Sequence, residues 1–402
     1  MNINHNLAHQ LQRQLLNVGA VIIALFLLAI YFSTGLAVAL SVILGLVWLF
    51  SAQFLALPNL LTKHPVALWA LILFACFIVG LSYGDAPQKS ALSMINKYRE
   101  LSFIAILISF FIAERNRHWA WLVFIAASII TLLISYLMDF GIVPLNGNGD
   151  ACLKSRITHS IFIAFFAFFC AHKAYDDKRF SKLYLILMAL CIHNLFFVVG
   201  GRTGQLIVVG LILLFAFQRL ATKQRILTVL AVILFLSLFM HYSDKAARIT
   251  EGIANTQAYL QETPEQKESS MGQRYTFWTY SLKLMAEHPI LGHGTGSFAQ
   301  EYQRVAAGEQ FITKNPHNEF FMIGVQLGLM GMIAYVGFLA SQYFYSRKLP
   351  APEKWLSQGL LLSLLITSQF NTPFLDHTEG HWFAYMIALC FAANPKTQLS
   401  DA

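Results

Sequence analysis

Two arginines, a histidine and an asparagine have settings in this 402-residue chain that could do chemistry. Gly200-Gly201-Arg202-Thr203-Gly204 joins two apolar runs with almost no loop, so Arg202 is expected at or slightly inside a membrane boundary. A charge held there is expensive, which points to a bound ligand, with simple capping of the span as the alternative. Gln273 and Arg274 precede an aromatic run, and Arg274 sits one turn before Trp278. Asn315-Pro316-His317-Asn318-Glu319 opens a further apolar segment. Pro316 is a helix-start signal and predicts His317 and Asn318 in the first turn. The positive end of the helix dipole disfavours imidazolium there, so a neutral ring able to accept a proton is expected. A buried, hydrogen-bonded structural histidine is the other possibility.

Two or three arginines can neutralise a pyrophosphate through bidentate, charge-assisted hydrogen bonds. A neutral histidine can take a proton from an attacking hydroxyl, an effect worth typically 10²- to 10⁴-fold. Together they describe transfer of a group from a lipid diphosphate to an alcohol. Such a donor carries its own activation, so neither a nucleotide nor a metal is required if arginines hold the leaving group. Further cations could reach the same ligand: Lys97 and Arg99 after an amphipathic stretch, and Arg156 with His159 in Lys154-Ser155-Arg156-Ile157-Thr158-His159 at a helix start. Anchoring at the membrane interface is the competing role for these groups. Gly292-His293-Gly294-Thr295-Gly296 looks like a nucleotide loop, but no strand precedes it, so a tight turn returning the chain toward the membrane is expected instead. Asp376-His377-Thr378-Glu379-Gly380-His381 has metal-ligand residue types at a spacing that matches no metal site, and none is expected.

The elements that must position these groups are helices in a bilayer. The chain is 57% hydrophobic and only 12% charged, against roughly 25% charged in soluble domains. Apolar runs of about 20 residues, the length that crosses a ~30 Å hydrocarbon core, number about twelve. They centre near Phe26, Leu44, Leu73, Leu107, Ala126, Phe165, Met188, Leu211, Ile233, Gly331, Leu364 and Ile387. The expected organisation is nine helices over residues 1–241, a large loop over 242–316, and three helices with a short tail over 317–402. With both termini cytoplasmic, more than half of the 28 lysines and arginines fall on the cytoplasmic side, in accord with the positive-inside rule. The net charge of +8 is therefore topology and not a nucleic-acid footprint. The first part of the long loop is polar and expected to be helical with a break near Pro264. From Met271 to Glu287, the residues Phe277, Trp278, Leu284 and Met285 share a face that could lie flat on the bilayer surface.

Gly201-Arg202-Thr203-Gly204, Gln273-Arg274 in a long outward loop, His288-Pro289-Ile290-Leu291-Gly292-His293-Gly294 and Asn315-Pro316-His317-Asn318 together resemble the bacterial O-antigen ligase and polymerase superfamily of the inner membrane. The resemblance implies an all-α integral membrane protein of about twelve transmembrane helices with a large periplasmic helical loop, GT-C-like. It implies an inverting, metal-independent glycosyltransferase, without cofactor, that moves polysaccharide from undecaprenyl diphosphate to the lipid A-core. Arg202 and Arg274 would then bind the diphosphate, helped by Thr203 and Gln273, while His317 acts as base and Asn318 orients it. O-antigen polymerases and protein O-oligosaccharyltransferases share that donor and differ in the acceptor. A transporter of lipid-linked glycans, with the arginines lining a conduit, is the alternative from another class; no internal repeat between the halves supports it.

Overall fold

The computed structural model describes residues 2–247, 250–252, 254, 256 and 269–393. The expected break near Pro264 lies outside the described residues. Among those described, every regular element is helical. Sixteen α-helices follow in order: α1 Asn2–Phe32, α2 Thr34–Phe50, α3 Leu57–Lys63, α4 Pro65–Val79, α5 Gln88–Tyr98, α6 Glu100–Phe111, α7 Glu114–Asp139, α8 Arg156–Asp176, α9 Ser181–His193, α10 Arg202–Arg219, α11 Thr222–Tyr242, α12 Ser270–Glu287, α13 Phe298–Val305, α14 Glu319–Ser346, α15 Glu353–Phe370 and α16 His377–Phe391.

All the apolar centres read from the sequence fall inside helices, but the helices are unequal. Seven are long and apolar enough to cross a membrane: α1 from Gln10, α7, α8, α9 with its π-helical extension to Val198, α10, α11 and α14. A bent pair, α2 with the turn and helix from Gln53 to Lys63, makes an eighth if counted as one span. The helices α4 and α16 have 15 residues each and α6 has 12, below the ~20 that a lipid-facing span needs. Burial accounts for α6 and α16, most of whose residues are enclosed by protein, whereas α4 buries one side and leaves Leu68, Ile72, Ile78 and Val79 exposed. Every α16 residue from Thr378 to Phe391 is buried, so this helix contacts protein where a span would contact lipid. Trp382 at its centre stacks on Phe162 of α8 at 4.9 Å between ring centroids.

The helix α14 is broken at Gly328, which has φ 56° and ψ −150°. A break inside an apolar bundle frees backbone groups that must be paired. The glycine-rich loop pairs them. His293 and Gly294 donate their N–H groups to the carbonyls of Val325 and Gln326 at 2.9 and 2.8 Å, and Leu329 N–H donates to Pro289 O at 2.8 Å. Thr295 ties the same loop to α4, through its N–H to Gly80 O at 3.1 Å and its Oγ1 to Phe77 O at 2.6 Å. The tight turn expected from the glycines is present, and its purpose is to dock into the broken helix.

That docking holds α12 against the first half of α14. Phe277 and Leu284 are buried in this contact, and Met285 packs beside Gly324. The apolar face expected on the bilayer surface is therefore covered by protein, because α14 offers an apolar partner within reach. On the other side of the site, α10 starts two residues after Gly200, which turns the chain at φ 65°.

Gly292 takes φ 70°, and an added Cβ would lie 2.5 Å from the carbonyl carbon of Gln326. Gly292→Ala should cost about 1–3 kcal/mol through the left-handed conformation and this crowding. A lowered melting temperature of the detergent-solubilised protein is the expected readout, and wild-type melting would contradict the docking.

Candidate active site

His317 does not lie in the first turn of α14. It precedes the helix in the left-handed region, at φ 52°, and Asn318 is the N-cap. The reason is capping chemistry: Asn318 Oδ1 accepts the N–H of Phe321 at 3.1 Å, which requires extended backbone at 318 and places the bend one residue earlier. Asn318 Nδ2 donates to Gln369 O at 3.1 Å, so both polar atoms of this side chain are engaged in holding α14 and α15 together. The left-handed residue is clamped on both sides. His317 N–H donates to Asn315 Oδ1 at 2.8 Å, Thr372 Oγ1 donates to the same oxygen at 3.0 Å, and Trp278 Nε1 donates to Pro316 O at 2.9 Å. A non-glycine residue in this region stores of order 1–3 kcal/mol, and such strain clusters at functional sites.

The imidazole stacks on Phe277 at 6.4 Å between ring centroids, and its Nδ1 is buried without a hydrogen-bond partner. Desolvation pushes its pKa below the usual histidine value, and the positive charge of Arg274 pushes it further down; Asn371 acts in the opposite direction. The neutral ring expected from the helix dipole is thus the outcome, with burial as the larger cause.

Arg274 lies one turn into α12, on the side of the helix that reaches His317. Its pKa is lowered by desolvation and then by the charge of Arg202. The fields of the three groups therefore overlap in sequence, Arg202 on Arg274 and Arg274 on His317. Arg202 is the first residue of α10 and also faces the described part of the long loop, where its Nη1 would lie 2.8 Å from a Cβ added at Gly252. Thr203 and Gln273 are half-buried next to the two arginines. Two guanidinium groups held this close repel each other, and a doubly charged phosphate group would relieve that repulsion through bidentate hydrogen bonds. The free N–H groups at the start of α10 favour an anion on the same side.

The remaining cationic candidates sit on other helices, and Arg156 backs onto the start of α10, its carbonyl oxygen 3.5 Å from a Cβ added at Gly201. Arg156, at the start of α8, is ion-paired with Asp150 at 3.1 Å. His159 is 2% exposed inside the bundle, with Nε2 on Asn194 Oδ1 at 2.9 Å. Arg99 donates to Asn96 Oδ1 at 2.7 Å, and the charges of Lys97 and Arg99 reach His377 and His381.

Three carboxylates that the sequence reasoning did not single out as a group are buried close to the site: Glu100, Glu319 and Glu379. Glu319 Oε1 accepts from Tyr98 Oη at 2.5 Å, and its Oε2 takes the N–H of Phe374 at 3.4 Å. The signal available in the sequence was an acidic residue at the edge of an apolar run, which is costly unless paired. Glu100, His377 and His381 bring metal-ligand atom types within 4.8 Å of one another. His381 Nδ1, however, lies 2.5 Å from His377 O, so it carries a proton there, and only the Nε2 of that ring keeps a lone pair. A second such group, Glu287, His293 and Glu301, has both carboxylates paired with Arg304.

Arg274→Gln removes one of the two causes that hold the His317 pKa down, so the ring should titrate at higher pH than in the wild type. Histidine NMR titration reads this directly. An unchanged or lowered value would show that Arg274 does not face the ring.

Residues 183–336 match the model of the O-antigen ligase family, a segment that contains Arg202, Arg274 and His317. Over 340 residues the chain is 25% identical to an O-antigen ligase of Pseudomonas aeruginosa, covering 82% of this chain and 77% of that protein. It is 26% identical over 254 residues to an uncharacterized protein of Haemophilus influenzae, covering 59% of this chain and 61% of that protein's length. Over the matched segment, and along the extent of the Pseudomonas likeness, this chain is similar to the O-antigen ligase family.

Proposed function

We propose that the chain is an O-antigen ligase, a glycosyltransferase that moves polysaccharide from undecaprenyl diphosphate to a sugar hydroxyl of the lipid A-core. One observation carries this reading: Arg202, Arg274 and His317 arise from three separate elements, yet converge electrostatically within the segment that matches the family. The arginines bind the diphosphate and neutralise it as the glycosyl bond breaks, in the way that preorganised charge stabilises a leaving group. His317 removes the proton from the acceptor hydroxyl. Attack from the side opposite the diphosphate inverts the anomeric carbon. Arginines supply the charge that a metal would otherwise supply to the leaving group.

In this reading the chain is a GT-C-like protein of about twelve spans in the bacterial inner membrane. The shorter helices α4, α6 and α16 then complete the bundle alongside the longer ones. Both termini are cytoplasmic, and the end bearing α5, α12 and α13 faces the periplasm. Opposite that end, the cationic residues Lys178, Arg219, Arg225 and Arg347 lie at helix ends, as the positive-inside rule requires of a cytoplasmic face.

The test is transfer by purified protein given undecaprenyl-diphosphate glycan, rough lipopolysaccharide and chelator, with no nucleotide, read as a shifted lipopolysaccharide ladder. His317→Ala should reduce transfer by about 10²- to 10⁴-fold. Arg202→Lys and Arg274→Lys should each lose activity, because an ammonium cannot replace a bidentate fork. Elongation of the lipid-linked glycan in place of a shift would reassign the chain to the polymerases. Full transfer by His317→Ala would sink the assignment of His317 as base, whereas neither product from the wild type would favour a transporter.

A further inference from the structure

We propose that a polar cavity beside Arg202 binds the first sugars of the donor glycan, and so selects the glycan to be transferred. The inference rests on the reading of Arg202 as a ligand of the diphosphate. The cavity holds about 540 Å³ between the end of α7, the loop from 141 to 155, the start of α8 and the chain that follows α11. Asp139, Asp150, Arg156, Asp244 and Lys245 line it, and its wall ends at Gly200, two residues before Arg202. On that wall the carbonyl oxygen of Arg156 lies 3.5 Å from a Cβ added at Gly201. The cavity therefore opens beside the start of α10, and a sugar joined to a diphosphate on Arg202 has this space within reach.

The wall of the cavity is held from inside the bundle. Met138, Ala151, Cys152, Val198 and Val199 form an apolar cluster of their own under it, separate from the main core. A line of buried hydrogen bonds ties the loop to this cluster across α8, α9 and α7. His159 Nε2 donates to Asn194 Oδ1 at 2.9 Å, Asn194 Nδ2 to Ser135 Oγ at 2.8 Å, and Ser135 Oγ to Ala151 O at 2.5 Å. Asn194 also opens the π-helical turn that ends at Val198 in the cavity wall, and such turns recur at functional sites. Within the loop, Asn146 Oδ1 accepts the N–H groups of Asn148 and Asp150, each at 2.9 Å. Networks of this kind rigidify what they join, so the carboxylate of Asp150 stands on a fixed support.

The chemistry of the lining favours a neutral, hydroxyl-rich ligand. Three carboxylates are set against two cations, and Asp150 already pairs with Arg156 at 3.1 Å, so no surplus positive charge is left for another phosphate. Carboxylates only accept hydrogen bonds, and sugar hydroxyls donate them. Val143 and Pro144 add apolar surface for the C–H face of a sugar ring.

The experiment measures binding of undecaprenyl diphosphate, with and without its glycan, to full-length wild type, Asp139→Ala/Asp244→Ala, Leu145→Trp and Arg202→Ala. Leu145 lines the cavity and is 49% exposed, so a larger ring there fills the space without entering the core. The wild type should prefer the glycan-bearing lipid. Asp139→Ala/Asp244→Ala should lose about 10-fold of that preference, the lower end of what a hydrogen bond to a charged group is worth. Leu145→Trp should lose at least as much, and both should bind the bare lipid as the wild type does. Equal wild-type affinity for the two lipids, or variants that keep the preference, overturns the proposal. Equal loss of both lipids in the cavity variants overturns it too, because that marks a structural role. A raised KM for the acceptor with donor binding intact gives the cavity to the acceptor instead. Unweakened binding of the bare lipid by Arg202→Ala fails the underlying reading of Arg202, whereas weakened binding there with an intact preference in the cavity variants fails only the sugar site.

Discussion

A helix broken inside an apolar bundle must find partners for the backbone groups it releases, and most of this site depends on how α14 does so. Gly328 opens the helix, and the loop from Pro289 to Gly294 supplies donors and acceptors on both sides of the break. Each unpaired backbone group in such surroundings would cost several kcal/mol. That cost makes the loop position obligatory and not incidental. The consequence runs outward through covalent connection: α12 immediately precedes this loop, so fixing the loop fixes α12 against α14, and with it the placement of Arg274. An extramembranous segment is in this way registered to the bundle with the precision of a packed core.

The second constraint is electrostatic. Three cationic or potentially cationic groups are drawn together where burial already penalises charge. Burial and a neighbouring cation act in the same direction on His317, keeping it neutral, whereas the arginines stay charged because guanidinium resists deprotonation. The same surroundings therefore yield two different chemical states. A neutral proton acceptor beside two permanent cations is the division of labour that transfer from a diphosphate requires.

Much of this was legible in the sequence, and what was missed has a pattern. Apolar runs announce helices because burial in lipid or protein demands the same composition, so all the expected centres were found in helices. The runs could not distinguish a lipid-facing span from a helix such as α16, which is enclosed by neighbours, since both are apolar all round. Arg202, Arg274 and His317 stood out because a charge or an imidazole beside Gly or Pro at the end of an apolar run is unusual. The conformation of His317 was misplaced by one residue because Asn318, and not Pro316, sets the helix start. The face of α12 was assigned to the bilayer because periodicity shows that a face is apolar without showing what covers it. Thr372 is more than fifty residues from Asn315 in the chain, and only tertiary structure brings its hydroxyl to the amide that holds the His317 backbone.

The most direct measurement is binding of undecaprenyl diphosphate to the purified protein, separated from turnover, in wild type and in Arg202→Ala, Arg274→Ala and His317→Ala. The account predicts wild-type binding in His317→Ala together with strongly weakened binding in both arginine variants, because the arginines hold the diphosphate and the histidine serves the acceptor. Unimpaired binding in the arginine variants, or loss of binding in His317→Ala alone, would contradict it.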